Sequence, residues 1–219
     1  ALLNITQDHL DWPGGMNEYV AAKAKIFAYE KTARILNRDD STVMNFAAAD
    51  RTVLTFGAGE PKQANEWGLV ESDGITWLAF NEDDSVQLTK RKVLEGHVLQ
   101  RLIPEEALHI RGRHNSMNAL AALALIYAAR LSLSDALRAL AEYKGEPHRV
   151  EYVMTVNGVD YIDDSKGTNV GATVAALEGL GANGTKLVVI LGGDGKGQDF
   201  SPIAQSMSRH ARAAVLIGR

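Results

Sequence analysis

The sequence predicts an α/β fold in two parts, with a parallel, doubly wound sheet in the second. Three observations carry this. Beyond Pro147 the pattern runs β-β-α-β-α-β, with strands over 150–156, 159–162, 187–191 and 213–217 and helices over 169–179 and 201–210. Leu187-Val-Val-Ile-Leu191 is a continuous apolar run, as strands covered on both faces require. At Lys144-Gly-Glu-Pro147 the preceding helical pattern breaks, which marks a domain boundary and divides the chain into 1–146 and 147–219.

In the first part, Leu2–Ile5 reads as the end of a strand, followed by a polar loop through Gly15. Met16–Tyr29 reads as a helix with Tyr19, Lys23, Ile26, Phe27 and Glu30 on one face. Ala33–Leu36 and Thr52–Phe56 are short strands, and several more lie between Trp67 and Leu94, where Ser72-Asp73-Gly74 suits a hairpin turn. Lys90–Glu106 is charged without a clean period and reads as surface loops. Met117–Ala129 and Ser132–Tyr143 are helices rich in Ala and Leu, with Ser132 or Ser134 as cap. In the second part, Val159–Ile162 leaves a sheet, and a helix begins at Thr168 or Asn169 with Val170, Val174 and Leu177 on one face.

Composition narrows the function classes. With 219 residues, 46% hydrophobic and 23% charged, this is an ordinary globular sequence. A net charge of -4 argues against a general nucleic-acid or polybasic membrane surface. Zero cysteines exclude disulfides and thiolate metal sites and fit a cytosolic protein. No apolar run approaches the roughly 18 residues of a membrane helix. The start at Ala1-Leu-Leu-Asn-Ile and the stop after Ala213-Val-Leu-Ile-Gly-Arg both look like cuts through a sheet, so a longer parent protein is expected.

Six segments can carry chemistry. Asn4-Ile-Thr-Gln-Asp8-His9-Leu-Asp11 offers imidazole and carboxylate, suitable ligands for a divalent ion, or a hydrogen-bonded loop histidine. Lys23 sits on the apolar stripe of its helix, while Lys25 points about 200° away. A lysine on a buried face snorkels, pairs or changes its chemistry. One kept neutral can react with CO₂ to give a carbamate, an anionic oxygen ligand. Gly112-Arg-His-Asn115-Ser-Met-Asn118 opens a helix with two amides three residues apart, able to cap it or to read the edge of a base. In Pro147-His148-Arg149 the guanidinium can clamp a phosphate or form a salt bridge. Asp163-Asp164-Ser-Lys166-Gly-Thr168-Asn169 places carboxylates, an ammonium, a hydroxyl and free helix N–H groups at a strand's C-terminal end, where open α/β sheets bind ligands. Leu191-Gly-Gly-Asp-Gly-Lys196-Gly follows an apolar strand but is no Walker A loop, since positions 190 and 197 hold Ile and Gly. Lys196 instead reads as a cation reaching over the strand edge toward an anion.

In this order the segments resemble the Mur ligase family of ATP-dependent amide-bond ligases. Asn-Ile-Thr-Gln-Asp-His-Leu-Asp is similar to its histidine motif, and Tyr-Val-Ala-Ala-Lys-Ala-Lys-Ile-Phe to the helix bearing its carbamylated lysine, with Lys23 at the matching position. The Asp-Ser-Lys-x-Thr-Asn-Val turn and the Gly-Gly-Asp-Gly-Lys loop resemble those of the member that adds D-glutamate, and no Asp-Asn-Pro-Arg motif is present. The resemblance implies the latter part of a mixed-sheet, P-loop-type ATPase central domain, followed by the start of a Rossmann-like doubly wound C-terminal domain. The phosphate loop, a UDP-binding domain before it and the rest of the C-terminal domain are expected outside this sequence.

The implied reaction joins D-glutamate to UDP-N-acetylmuramoyl-L-alanine through an acyl phosphate, with ATP, Mg²⁺ and a CO₂-derived carbamate on Lys23. The resemblance gives His9 and Lys23 the second Mg²⁺ and the catalytic role. It gives Asn115 and Asn118 the adenine, Arg149 and Asp164 the nucleotide at the domain junction, and Lys166, Thr168 and Lys196 the D-glutamate carboxylates. A cytoplasmic monomer is expected, with no nucleic-acid partner or membrane insertion, and with no ligase activity for these 219 residues alone. The rival readings are a folylpolyglutamate synthase-like ligase and a non-catalytic nucleotide-binding module.

Overall fold

The computed structural model describes residues 1–6, 14–82, 98–182, 184–195 and 197–218. These fall into two compact units, the first comprising 1–5, 14–82, 98–109 and 116–143, the second Thr6, 110–115 and the described residues from Lys144 onward.

The first unit is built on a mixed five-stranded sheet in the order β1-β2-β3-β4-β5. Its strands are β1 (Arg34–Asn37), β2 (Val53–Phe56), β3 (Glu66–Ser72), β4 (Ile75–Glu82) and β5 (Val98–Pro104). β1, β2 and β3 run parallel, whereas β3–β4 and β4–β5 are antiparallel. Asp73 and Gly74, at φ 55 and 76, turn β3 into β4 with the backbone twist that tight hairpins favour. Trp67 stacks on Phe80 at 4.2 Å between ring centroids, and Tyr127 meets both ring systems. Tyr127 belongs to α3 (Arg113–Ala128), so this aromatic cluster fastens the helix to the sheet. α4 (Leu133–Glu142) follows, with the Ser132 hydroxyl accepting from Asp135 N–H.

A second cluster joins Leu2, Ile5, Phe27, Leu36 and Val43, with Tyr19 and Val20 of α1 (Met16–Ala24) packed against it. Leu2 makes only an isolated parallel bridge to Leu36. The segment it opens is held by Asp40, whose Oδ2 accepts from Ile5 N–H at 2.9 Å while Oδ1 caps α2 (Ser41–Met44) through Thr42 and Val43 N–H.

Several expectations are corrected. The helix ends at Ala24 and tightens into a 3₁₀ turn over Lys25–Phe27 instead of continuing to Tyr29. The stretch read as loops over 90–106 contains β5 and a 3₁₀ turn at Glu105–Ala107 among its described residues. α2 carries no periodicity long enough to be seen.

The second unit contains β6 (Glu151–Val156), β7 (Val159–Asp163), α5 (Val170–Gly181), β8 (Leu187–Gly192), α6 (Ser201–His210) and β9 (Ala211–Ile217). The predicted element order is present, but the strands pair as two ribbons. β6–β7 is an antiparallel hairpin turned by Asn157-Gly158 at φ 51 and 77, while β8–β9 is parallel and connected through α6. Ser206 of α6 is buried and donates its hydroxyl to Glu178 Oε1 of α5 at 3.0 Å, which locks the two helices together.

Candidate active site

The polar turn between β7 and α5 is the chemical centre of the second unit. β7 ends on Asp163, and the chain turns tightly: Gly167 N–H donates to Asp164 O at 2.8 Å, and Thr168 N–H to Lys166 O at 3.0 Å. Asn169, rather than Thr168, caps α5, its side chain accepting from Ala172 N–H at 2.8 Å. Thr168 and Lys166 are thereby left exposed just before the helix. The first N–H groups of a helix carry partial positive charge, so such a turn favours anions. Two of these groups are taken: Ala172 N–H by the Asn169 cap, and Val170 N–H, which donates to Gln198 Oε1 at 3.0 Å. Gln198 sits on the glycine loop after β8, so that loop is tied directly to the α5 N-terminus. Nothing in the sequence pattern singled out Gln198. Lys196, on the same loop, lies outside the described residues, as does His9.

Pro147-His148-Arg149 is bound to this turn. Lys166 N–H donates to His148 O at 3.1 Å, and Val150 N–H to Asp164 Oδ1 at 3.1 Å. His148 Nδ1 pairs with Asp163 Oδ2 at 2.8 Å, and His148 N–H donates to Glu151 Oε2 at 2.8 Å. Asp163 Oδ1 accepts from Ser165 N–H. The His148 hydrogen bond, followed by those of Ser165, holds the Asp163 carboxyl down at about 2. Asp164 behaves oppositely: half-buried, its carboxyl is pushed up by desolvation, against the pull of the Val150 N–H, His114 and the exposed Arg149. The structure therefore brings Arg149, Asp164, Lys166 and Thr168 into one neighbourhood, and adds His148, Asp163 and Glu151. These last three offer ligand atoms within 4.8 Å of one another, a set that could hold a metal ion.

His114 also reaches this turn. Its ring lies between Gly112 and Gly179, where a Cβ on either glycine would come within 2.9 Å or 2.8 Å of it. Burial pushes its pKa below the ordinary histidine value, while Asp164 and a main-chain hydrogen bond at Ala175 pull it up. Its Nδ1 is buried with no hydrogen-bond partner. Next to it, Asn115 Nδ2 donates to Arg111 O at 2.9 Å, so this amide spends one hydrogen at the start of α3. Asn118, one turn on, is exposed.

In the first unit, Lys23 is exposed rather than buried on an apolar face, with Nζ 5.2 Å from the Tyr19 ring centroid. The switch to a 3₁₀ turn after Ala24 leaves Ile26 exposed and Phe27 buried, so the stripe reaches Phe27 without covering Lys23. The placement of Lys23 on a buried face is thus corrected. The amine is exposed, which suits addition of a carboxyl group, and the Tyr19 ring lies beneath it.

The comparisons with known proteins agree with one another. Residues 1–126 match the Mur ligase middle domain, and residues 148–219 the Mur ligase glutamate ligase domain. The chain is 55% identical over its whole length to the UDP-N-acetylmuramoylalanine–D-glutamate ligase of a Polaromonas species, covering 39% of that protein. It is 53% identical to the ligase of the same name from Burkholderia vietnamiensis, covering 46% of it. The chain thus spans less than half the length of these relatives. In fold it is similar to MurF from Acinetobacter baumannii, with a TM-score of 0.67 at 22% identity over 99% of this chain and 46% of that one. It is also similar to MurC from Thermotoga maritima, with a TM-score of 0.62 at 18% identity over 99% of this chain and 45% of that one. With both domain types matched in sequence, in order and over nearly every residue, the chain belongs to the Mur ligase family.

Proposed function

We propose that the protein containing this chain joins D-glutamate to UDP-N-acetylmuramoyl-L-alanine at the expense of ATP, a cytoplasmic step in peptidoglycan assembly carried out by a monomer. The observation that carries this reading is the 50–55% identity, over the full chain, to ligases named for that reaction. The intact turn from Asp163 to Asn169 supports it.

In this reading the substrate carboxylate takes the ATP γ-phosphoryl group to form an acyl phosphate. The D-glutamate amine attacks, and the tetrahedral intermediate collapses to amide and phosphate. The chain's residues bind and orient. Lys166, Thr168 and Lys196 hold the D-glutamate carboxylates beside the α5 N-terminus, where partial positive charge needs no rearrangement to act. Arg149 and Asp164 hold the nucleotide, and Asn115 and Asn118 meet the adenine. His9 and Lys23, the latter as its carbamate, would hold Mg²⁺, which would neutralise phosphate charge.

The test is ADP release by the full-length parent protein with UDP-N-acetylmuramoyl-L-alanine and either D- or L-glutamate. Turnover with D-glutamate alone is expected. Preference for L-glutamate, or no nucleotide binding by calorimetry, would overturn the reading.

A further inference from the structure

Glu151 and Asp163 are direct partners across the β6–β7 ribbon, so two carboxylates face each other at its open end. Like charges in that register oppose pairing. His148 lies between them, giving its main-chain N–H to Glu151 and its ring Nδ1 to Asp163, both at 2.8 Å. Its carbonyl takes the Lys166 N–H, so one residue engages both strands and the turn beyond them.

The backbone around it is unusual. His148 and Val150 have φ of 66 and 50. For the β-branched Val150 this left-handed conformation is strained, and strain of this kind persists only where the surroundings over-determine it. The surroundings here are the hydrogen bonds just named, together with Val150 N–H to Asp164 Oδ1. Arg149 lies between the two left-handed residues. Its direction is therefore set by the latch on either side, and the same latch takes one lone pair of Asp164.

We infer that His148 is a positioning residue, which with Asp163 and Glu151 latches the Pro147–Val150 segment to the β7–α5 turn and so sets Arg149 and Asp164 for nucleotide. The last step rests on the proposed function. The latch itself does not. His148 acts through its neighbours and touches no reacting atom.

Two substitutions separate the side chain from the backbone. His148→Asn keeps an amide N–H near the ring Nδ1 position and tolerates positive φ. His148→Gly tolerates positive φ but has no side chain. In the 219-residue chain, amide hydrogen exchange at Val150 and Lys166 is expected to quicken at least about fivefold in His148→Gly and to hold within about twofold in His148→Asn, as for loss and retention of one charge-assisted bond. In the full-length protein, His148→Gly should raise KM for ATP on the order of tenfold with kcat within about threefold, and His148→Asn should restore it. Unchanged exchange in His148→Gly, or equal damage in the two variants, overturns the latch. Quickened exchange with an unchanged KM overturns its role in positioning. Failure of the proposed function shows separately, as absent D-glutamate-dependent ADP release in the unsubstituted protein, and the exchange measurement still decides the latch.

Discussion

Replacing Gly179 by alanine sets two terms of similar size against each other. Gly179 lies within α5, where glycine is about 0.8–1.0 kcal/mol less favourable than alanine, so propensity alone predicts a gain. A Cβ there would stand 2.8 Å from His114 Nδ1, 3.3 Å from its Cε1 and 3.4 Å from Gly112 Cα. The ring cannot swing away freely, since it is pinned by the Ala175 main chain and by the second glycine, Gly112. Overpacking of this kind costs about 1–3 kcal/mol, so the net effect should be a loss of about 1 kcal/mol. With His114→Ala already in place the obstruction is gone, and Gly179→Ala should then stabilise by nearly the full propensity difference. The double-mutant cycle therefore predicts a coupling of about 2 kcal/mol, with a change of sign for Gly179→Ala between the two backgrounds. The assay is urea unfolding of the four proteins, read from amide signals of the second unit. A coupling below about 0.5 kcal/mol, or stabilisation by Gly179→Ala with His114 intact, would refute the wedge.

Three further outcomes are expected. Lys23→Ala in the full-length protein should abolish ligation with no recovery in added bicarbonate, and ligase activity surviving that substitution would remove the carbamate role. Asn169→Ala deprives Ala172 N–H of its cap and should cost about 1 kcal/mol in the second unit, by the same urea assay. His114, held below its ordinary value chiefly by burial, makes folding favour the neutral ring. That contribution is complete above pH of about 6.5 and shrinks as pH falls toward the lowered folded value, because the unfolded chain then binds the extra proton. Urea midpoints at pH 7.5 and 5.5 should differ less in His114→Gln than in the unsubstituted chain.

The parts of the fold that were legible from sequence are those fixed by local chemistry. Asp73-Gly74 and the start of α5 at Thr168 or Asn169 are each written in two or three neighbouring residues, and the β-α-β alternation after Pro147 is carried by apolar runs. β5 was missed because Val98–Pro104 earns its place by pairing with β4, across a register shift at Leu78/Ala79, and shows no alternation of its own. Lys23 was misplaced for a related reason. Its apolar stripe assumed 3.6 residues per turn through Tyr29, and the 3₁₀ turn after Ala24 breaks that count. In the candidate site, the turn residues and Arg149 were visible as a motif. Their partners were not, since His148 meets Asp163 across 15 residues and Gln198 meets Val170 across 28. A motif names the groups that do chemistry, while the residues holding them become visible only when the chain closes on itself.

The β8–β9 pair bears on how this chain behaves at high concentration. Val188, Ile190 and Leu216 are 63%, 67% and 78% exposed on adjacent parallel strands. None carries a charge, and the pair has two outer edges among the described residues. Open main-chain groups flanked by β-branched and leucine side chains are a template for edge-to-edge addition of further copies. Colloidal stability should therefore be governed by this ribbon. Light scattering should rise steeply with concentration, and Ile190→Lys, placing a gatekeeper charge on the face shared with Val188 and Val215, should suppress it while leaving the first unit's unfolding unchanged.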